Sequence, residues 1–323
     1  MAAQSVSTGL ENYRFAHNAL PGLRLDEVDT SVQLFGKTLR VPLVVSSMTG
    51  GTPAAAHINQ NLAAAAQRAG AAMAVGSQRT AIDNSSLASS YCVRDVAPDI
   101  LLFANLGAVQ LNYGYGVNEC RRAVEMIGAD ALMLHLNPLQ EALQRDGNTD
   151  FSGLLPKIKE VCAGLKVPVV VKEVGYGISA DLARHLMHMG VAGIDVAGAG
   201  GTSWSEVERH RLDTESEREV AAAFAEWGIP TAECIMSVRD ALPEITLIGS
   251  GGIRTGIDVA KALALGADAA GMAGALLRPA TISADAVTAK LQQITEQLRV
   301  AIFCTGWRSI ADLSKPGVLV EVS

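Results

Sequence analysis

One short segment carries the densest set of groups in the chain that could do chemistry. It contains an imidazole, two amides and a carboxylate, at His135, Asn137, Gln140 and Glu141. Alternation along an extended segment places His135 and Asn137 on one side, and a turn at Pro138 could bring Gln140 and Glu141 back over the same spot. One carboxylate is too few for a metal cage built of protein alone, but it suffices for a Mg²⁺ that also binds phosphate oxygens. The alternative is that Glu141 begins a helix and faces water.

Three glycine clusters suggest a second kind of chemistry, the binding of a phosphate. They are GAGGT at 198–202, GSGGIR at 249–254, and the pair Ala273 and Gly274. Without side chains, backbone N–H groups can approach an anion closely. None of the clusters has the G-x-G-x-x-G spacing and downstream acidic residue of a Rossmann dinucleotide site. One phosphate site beside a flat apolar slot therefore favours FMN over NAD or FAD.

Polar residues also follow or interrupt other apolar segments. The segments SSMTGGT at 46–52 and GSQR at 76–79 could bind a flat or anionic ligand, although a plain turn and a solvated arginine explain them equally well. Asn105 offers a donor and an acceptor to a heterocycle edge. Lys172 in an apolar segment needs an anionic partner or a place at the rim, and Asp195 suggests a structural partner. The helical pair His185 and His188 lacks a third metal ligand nearby.

The elements that must position these groups are eight apolar segments. They are rich in β-branched residues and do not alternate with polar ones, as expected for parallel strands buried on both faces. Alanine- and leucine-rich helical segments separate them, and a glycine repeatedly ends the helix before the next strand, at Gly70, Gly128, Gly190 and Gly266. The pattern predicts a (β/α)8 TIM barrel in a single domain, with residues 1–41 leading into it; a doubly wound sheet is the alternative. The eight segments are 43–47, 72–75, 100–105, 131–135, 168–172, 193–196, 246–249 and 269–272.

Composition excludes several classes of function. Of the 323 residues 49% are hydrophobic and 18% charged, and the net charge of −7 provides no basic surface for nucleic acid or an anionic membrane. The five cysteines are widely spaced and include no C-x-x-C pair, which argues against a disulfide framework or structural zinc and favours a reducing cytoplasm. Neither a secretion signal nor a membrane-spanning segment is indicated.

Several of these motifs together resemble a known family. The chain is similar to type 2 isopentenyl-diphosphate isomerases, FMN-dependent enzymes that interconvert isopentenyl and dimethylallyl diphosphate. The match covers nearly the whole chain in the expected order. The matching segments are 13–21, 47–52, 76–79, 135–141, 171–175, 198–204 and 250–254.

The resemblance implies a role for each matching residue, with His135, Gln140 and Glu141 as the catalytic set and Glu141 as the magnesium ligand. It implies FMN, Mg²⁺ and NADPH as cofactors, with NADPH only reducing the flavin, and a homo-oligomer that acts on a small diphosphate. The implied FMN contacts are Met48, Thr49, Gly50, Ser77, Asn105, Lys172 and Thr202, with Gly251, Gly252, Arg254, Ala273 and Gly274 around its phosphate. The implied substrate contacts are Ser77, Gln78, Arg79, His135, Asn137 and Gln140.

The sequence departs from the family pattern before Tyr13. Family members usually carry an Arg-Lys pair there that the resemblance assigns to the substrate diphosphate, and this sequence contains none. Losing two charge-assisted hydrogen bonds would weaken substrate binding by about 10² to 10⁴, with flavin binding kept. We therefore expect either a start further upstream or a weak or inactive isomerase. Another FMN barrel is a further alternative, although the chain lacks the His-Gly-Gly-Arg loop of hydroxy-acid oxidases and the cysteine of IMP-dehydrogenase-like enzymes.

Overall fold

The computed structural model describes residues 6–322, which contain twelve strands and twelve α-helices. The strands are β1 Tyr13–Phe15, β2 Val32–Leu34, β3 Lys37–Leu39, β4 Leu43–Val45, β5 Ala72–Ala74, β6 Leu102–Gly107, β7 Ala131–Leu136, β8 Val169–Glu173, β9 Gly193–Asp195, β10 Thr246–Ser250, β11 Ala269–Met272 and β12 Leu319–Glu321. The helices are α1 Pro53–Ala69, α2 Arg79–Asp83, α3 Val117–Ile127, α4 Pro138–Leu143, α5 Leu154–Gly164, α6 Ala180–His188, α7 Trp204–Arg209, α8 Glu215–Ala222, α9 Thr231–Ala241, α10 Gly256–Ala264, α11 Gly274–Ala280 and α12 Ala284–Cys304.

Strands β4 to β11 form a closed parallel barrel in chain order, and the pairing of β11 with β4 closes the ring. Each of the eight apolar segments contains or overlaps one of these strands, so the predicted TIM barrel is confirmed and the doubly wound sheet is wrong. Two antiparallel pairs lie outside the ring, β1 with β12 and β2 with β3. All strands of the ring therefore direct their carboxyl ends to the same rim.

The apolar residues form two separate clusters. The larger cluster lies between the strands and the helices, and the smaller one fills the barrel interior. The hairpin of β2 and β3 closes the amino-terminal end of the barrel, where the Phe35 ring meets Phe103 edge to face with centroids 6.0 Å apart. Packed side chains close this end, so a ligand must enter from the opposite rim.

Two matching arginine clamps tie the amino-terminal ends of the strands together. Arg94 donates to four backbone carbonyls and to Asp130, and Arg239 donates to four carbonyls and to Asp268. The contacts occur at equivalent positions, six residues after each arginine at Ile100 and Ile245. We call these sets the Arg94 clamp and the Arg239 clamp. Since they lie four strands apart in the ring, they mark a repeat of half a barrel.

Local sequence signals set the helix ends. Thr52 accepts a hydrogen bond from the N–H of Ala55 and thereby caps α1. The four glycines predicted to end helices all have positive φ, from 59° at Gly128 to 116° at Gly266. All five cysteines are free thiols. No helix within residues 6–322 is long and apolar enough to cross a membrane.

Candidate active site at the carboxyl end of the barrel

A layer of polar side chains lies directly above the apolar filling of the barrel. Alternate residues of a strand face the same side, so each polar residue stands two positions after an apolar interior one. Phe103 is followed by Asn105 in this way, and Met133 by His135. The other members of the layer are Lys172, Asp195 and Ser250. The layer forms the floor of a mouth whose wall is made of the strand-to-helix loops.

Hydrogen bonds join the layer to the first of these loops. The Nδ1 of His135 lies 2.8 Å from Asn105 Oδ1, and Asn105 Nδ2 donates to Ser47 Oγ. Because Asn105 uses its oxygen towards the ring, we assign the proton on His135 to Nδ1. Burial, with further help from Lys172 and Arg79, lowers the pKa of His135 to about 4. The ring is therefore a neutral, oriented imidazole at neutral pH.

The segment 76–79 contributes a cation without a partner among residues 6–322 and a buried amide. The guanidinium of Arg79 makes no hydrogen bond or ion pair within residues 6–322, and Ser77 is exposed beside it. Gln78 was predicted to contact substrate, but its side chain is fully buried. Its Oε1 accepts from the N–H of Asn105 and its Nε2 donates to the carbonyl of Ala123, so this amide supports the backbone.

The polar segment after β7 forms a compact buried cluster. Glu141 is only 6% exposed, so the alternative in which it faces water is wrong. Its Oε1 accepts from Asn137 Nδ2 at 2.9 Å and its Oε2 accepts from the N–H of Asn148 at 2.6 Å. The Oδ1 of Asn137 is buried and has no partner in the described part of the chain. Gln140 is held from outside by Glu208 of α7, whose Oε1 accepts from its Nε2 at 3.1 Å.

These contacts bear on the predicted magnesium site. Among residues 6–322 no three His, Cys, Asp or Glu side chains group closely enough to hold a metal alone. The carboxylate of Glu141 and the unpartnered carbonyl of Asn137 nevertheless provide two hard oxygen groups at one place, the ligand type that Mg²⁺ prefers. This donor set fits a cation that completes its shell with water and phosphate oxygens.

The glycine clusters after β9 and β10 pack against each other at the opposite side of the mouth. Gly200 has φ 120°, and a Cβ there would lie 2.5 Å from the backbone nitrogen of Thr8. Gly252 has φ 71°, and its Cβ would lie 2.5 Å from the carbonyl oxygen of Gly200. Arg254 projects from the same loop, with one guanidinium nitrogen 3.5 Å from that carbonyl. Larger residues at Gly200 and Gly252 would clash with Thr8 and with the neighbouring loop, so these glycines allow the two loops to pack closely. We call the close-packed loops around Gly200 and Gly252 the glycine cradle, whose backbone N–H groups are of the kind that binds phosphate.

The remaining predicted flavin contacts lie around the same mouth. The loop of Met48 and Thr49 is half-buried, and the Gly50 backbone lies so close to Tyr91 that a Cβ would sit 1.9 Å from its ring. Thr202, Gly251, Ala273 and Gly274 are half-buried at the ends of the last three loops. The structure thus places the predicted residues other than Gln78 around one rim, and their ligand contacts remain predictions. His185 and His188 lie on the outer helix α6, away from it.

Sequence reasoning missed several residues that shape the mouth. These residues are Glu208, Thr8 and Tyr91, and each contacts a site residue that is distant in the chain. Glu208, for example, lies 68 positions after Gln140. Ser250 was seen only as part of a glycine cluster, although it donates to Asp195. The period-two spacing along β10, from Ile248 to Ser250, was the available signal.

Comparisons with known proteins agree with this geometry. Residues 2–87 and 125–320 match the model of the FMN-dependent dehydrogenase family. An isopentenyl-diphosphate delta-isomerase of Stutzerimonas stutzeri is 53% identical over 98% of this chain and 92% of its own. The Nostoc enzyme of that name is 50% identical over 98% and 90%.

Solved structures show the same fold. A flavocytochrome b2 variant with sulfite bound superposes with a TM-score of 0.72 at 18% identity, covering 97% of this chain and 77% of its own. A mandelate oxidase variant with an FMN adduct gives 0.69 at 20% identity, covering 95% and 88%. The sequence similarity places the chain more narrowly, and it belongs to the isopentenyl-diphosphate delta-isomerase family, within the FMN-dependent barrel enzymes.

Proposed function

We propose that this protein interconverts isopentenyl diphosphate and dimethylallyl diphosphate with the help of bound reduced FMN and Mg²⁺. The observation that carries the proposal is the unpaired guanidinium of Arg79 beside a neutral His135, on the same rim as the glycine cradle. A diphosphate needs cationic donors, and the alkene it carries needs a pocket without a competing charge. Arg79 would supply the cationic donor, and the neutral His135 adds no positive charge beside the alkene.

The residues around the rim fit FMN. Asn105 and Lys172 on the polar floor offer donors to the edge of a flat ring, and Arg254 with the backbone of the close-packed loops around Gly200 and Gly252 would bind its phosphate. When bound, reduced FMN supplies the acid and the base that move the proton, without net redox change. We propose NADPH as the reductant that keeps the flavin reduced.

The substrate would be held by groups with free capacity. Arg79 has all five N–H donors available for phosphate oxygens. Glu141 and the carbonyl of Asn137 would hold Mg²⁺ against the diphosphate, and the two hydrogen bonds that Glu141 accepts fix its carboxylate in place. Gln140 is oriented by Glu208 towards the same volume.

The neutral state of His135 has a chemical consequence. Protonation of an alkene develops positive charge on carbon, and an imidazolium beside it would oppose that charge. Burial and the neighbouring cations Lys172 and Arg79 keep the pKa of His135 at about 4, so the ring adds no charge at neutral pH. Asn105 fixes its orientation. His135 would therefore contact the substrate as a neutral polar wall.

The first test is to add FMN, NADPH, Mg²⁺ and isopentenyl diphosphate to the purified protein without oxygen. We expect a protein that turns yellow on binding FMN, bleaches when NADPH reduces the flavin, and then forms dimethylallyl diphosphate with deuterium incorporated from D₂O. Removing Mg²⁺ with EDTA should abolish turnover and leave FMN bound. Failure to take up FMN contradicts the whole proposal, and uptake without product or deuterium exchange contradicts the isomerase activity.

We also propose that the protein is a cytoplasmic homo-oligomer. Its five free thiols suit a reducing compartment. Large apolar side chains on its surface, including Leu20 at 86% exposure, Ile282 at 66% and Trp227 at 59%, would be covered in an assembly. Light scattering of the purified protein tests this, and a monomer at micromolar concentration contradicts it.

A further inference from the structure

One carboxylate in the polar floor has no role in the function proposed above. Asp195 is completely buried, and its Oδ1 accepts a hydrogen bond from Ser250. Its Oδ2 is buried without any partner among residues 6–322. An unpartnered oxygen on a buried carboxylate is costly, so its retention calls for a functional explanation.

Lys172 is the cationic neighbour through which this carboxylate can act. Asp195 and Lys172 are direct neighbours in the parallel register of β8 and β9, and both face the interior. They form no ion pair within 4.0 Å in the described chain, because the ammonium of Lys172 donates to the carbonyl of Glu173 at the rim. Burial raises the pKa of Asp195, and Lys172, the Ser250 hydroxyl and the backbone N–H of Ala197 oppose the rise. The ionised form of Asp195 would therefore interact with Lys172 through the low-dielectric interior without contact.

The other side of Asp195 has no compensating charge. Ser250 and Ser46 flank Gly271, where a Cβ would lie 2.6 Å from Ser250 Cβ and 2.7 Å from Ser46 Oγ. The Ser46 hydroxyl is also buried without a partner in the described chain. Lys172 is thus the one cation that the floor itself offers to Asp195 among residues 6–322.

We infer that Asp195 is a positioning residue that acts through Lys172 and sets how strongly the floor stabilises negative charge on a bound flavin. This inference rests on the proposed FMN site. Reduction adds electron density to the flavin ring, which the Lys172 ammonium favours. The carboxylate of Asp195 offsets part of the positive charge of Lys172, so the floor stabilises the anionic form of the reduced flavin less strongly. A less stabilised anion keeps its proton at neutral pH, so the reduced flavin retains a proton that it can transfer.

The test is the two-electron midpoint potential of bound FMN, measured by spectroelectrochemical titration, together with the Kd for oxidised and reduced FMN. In Asp195→Asn we expect the preference for reduced over oxidised FMN to rise by about tenfold, which corresponds to about 30 mV for a two-electron couple. Asp130→Asn is the matched control, since it makes the same change at the opposite end of the barrel. It should leave the potential unchanged.

A double-mutant cycle separates this mechanism from a general charge effect. In a Lys172→Met background, Asp195→Asn should change the preference by less than about twofold, because the intermediary is gone. An equal shift with and without Lys172, or no shift with Lys172 present, overturns the inference. If Asp195→Asn does not fold, Ser250→Ala replaces it. Loss of the Ser250 hydroxyl removes a hydrogen bond that stabilises the ionised form of Asp195, so less negative charge faces Lys172. The midpoint potential should therefore rise, by less than in Asp195→Asn, and an unchanged potential overturns the inference.

These outcomes are distinct from failure of the proposed function. Wild-type protein that binds no FMN contradicts the proposed site itself. Wild-type protein that binds FMN, with a potential that Asp195→Asn does not alter, contradicts only the role of Asp195.

Discussion

The two ends of this barrel treat their polar groups in opposite ways. At the amino-terminal end the Arg94 clamp and the Arg239 clamp are saturated: each guanidinium meets four carbonyls and a carboxylate. At the carboxyl end Arg79 is unpaired, and buried oxygens of Asn137 and Asp195 have no partner within residues 6–322. The same chain therefore contains both a satisfied and an unsatisfied polar network.

The difference separates stability from function. The paired charges at the closed amino-terminal end tie strand ends together and leave no donor or acceptor for a ligand. Unsatisfied groups in a mouth cost folding free energy, and proteins retain them where a ligand completes them. Substitutions at the mouth should therefore reduce activity with little effect on folding, and substitutions in the clamps should do the reverse.

The largest expected effect is at the mouth. Glu141→Gln removes the carboxylate proposed to hold Mg²⁺, and we expect turnover to fall about 10² to 10⁴-fold. The free energy of unfolding should change by less than about 1 kcal/mol, because loss of one acceptor is offset by removal of a buried charge that has no ion pair within residues 6–322. Turnover assays and urea denaturation measure the two quantities. A loss of stability as severe as the loss of activity would break the comparison.

The converse change is Arg239→Met in a clamp. It leaves Asp268 and several carbonyls without their donor, and we expect it to lower the free energy of unfolding by about 2 to 3 kcal/mol. FMN affinity and turnover of the folded fraction should stay within about twofold of wild type. Arg94→Met is the matched variant, since its contacts are equivalent. If the two variants lost different amounts of unfolding free energy, the two clamps would be alike in geometry but not in their contribution to stability.

The sequence predicted the floor of the site better than its walls. All eight barrel strands follow from apolar segments, and the shared side of His135 and Asn137 follows from a period of two, which are local properties. For Lys172 the sequence left both a place inside the barrel and a place at the rim open. Gln78 shows where this stops, because its neighbours in the chain gave no sign that its amide would turn inward to the backbone of Asn105 and Ala123.

Contacts between distant segments were beyond the sequence for the same reason. Glu208 orients Gln140, and Thr8 closes against the glycine cradle, but neither pair has a local pattern. The sequence shows one part of each clamp, because Gly128 and Gly266 each end a helix two residues before an aspartate. Their arginine partners lie 36 and 29 residues earlier and could not be assigned.

A smaller effect concerns the pH dependence of stability at the mouth. The pKa of His135 is about 4 in the folded protein against 6.5 ordinarily, so between these values the unfolded state binds more protons. His135 therefore makes the stability of the FMN-free protein fall as pH decreases from 6.5 to 4, by at most ~1.4 kcal/mol per unit. Glu173, whose pKa burial raises to about 7, acts in the opposite direction over much of this window. His135→Gln should flatten that part of the curve, measured by urea denaturation across the range. An unchanged slope would place the acid sensitivity elsewhere.

The smallest effect comes from the Arg94 clamp and appears in a different pH window. Burial raises the pKa of Asp130, but bonds from Lys37, the Leu102 N–H and Arg94 outweigh it and leave the pKa below its ordinary value of 3.8. Its contribution to stability is complete above that value and is lost only as pH falls below it. In Asp130→Asn the steepness below pH 3.8 should decrease while the slope between 4 and 6.5 is kept. The His135→Gln variant should show the reverse pattern, because it removes a group that titrates between pH 4 and 6.5 and leaves Asp130 in place. If both variants altered the same window, the two ends would not be independent.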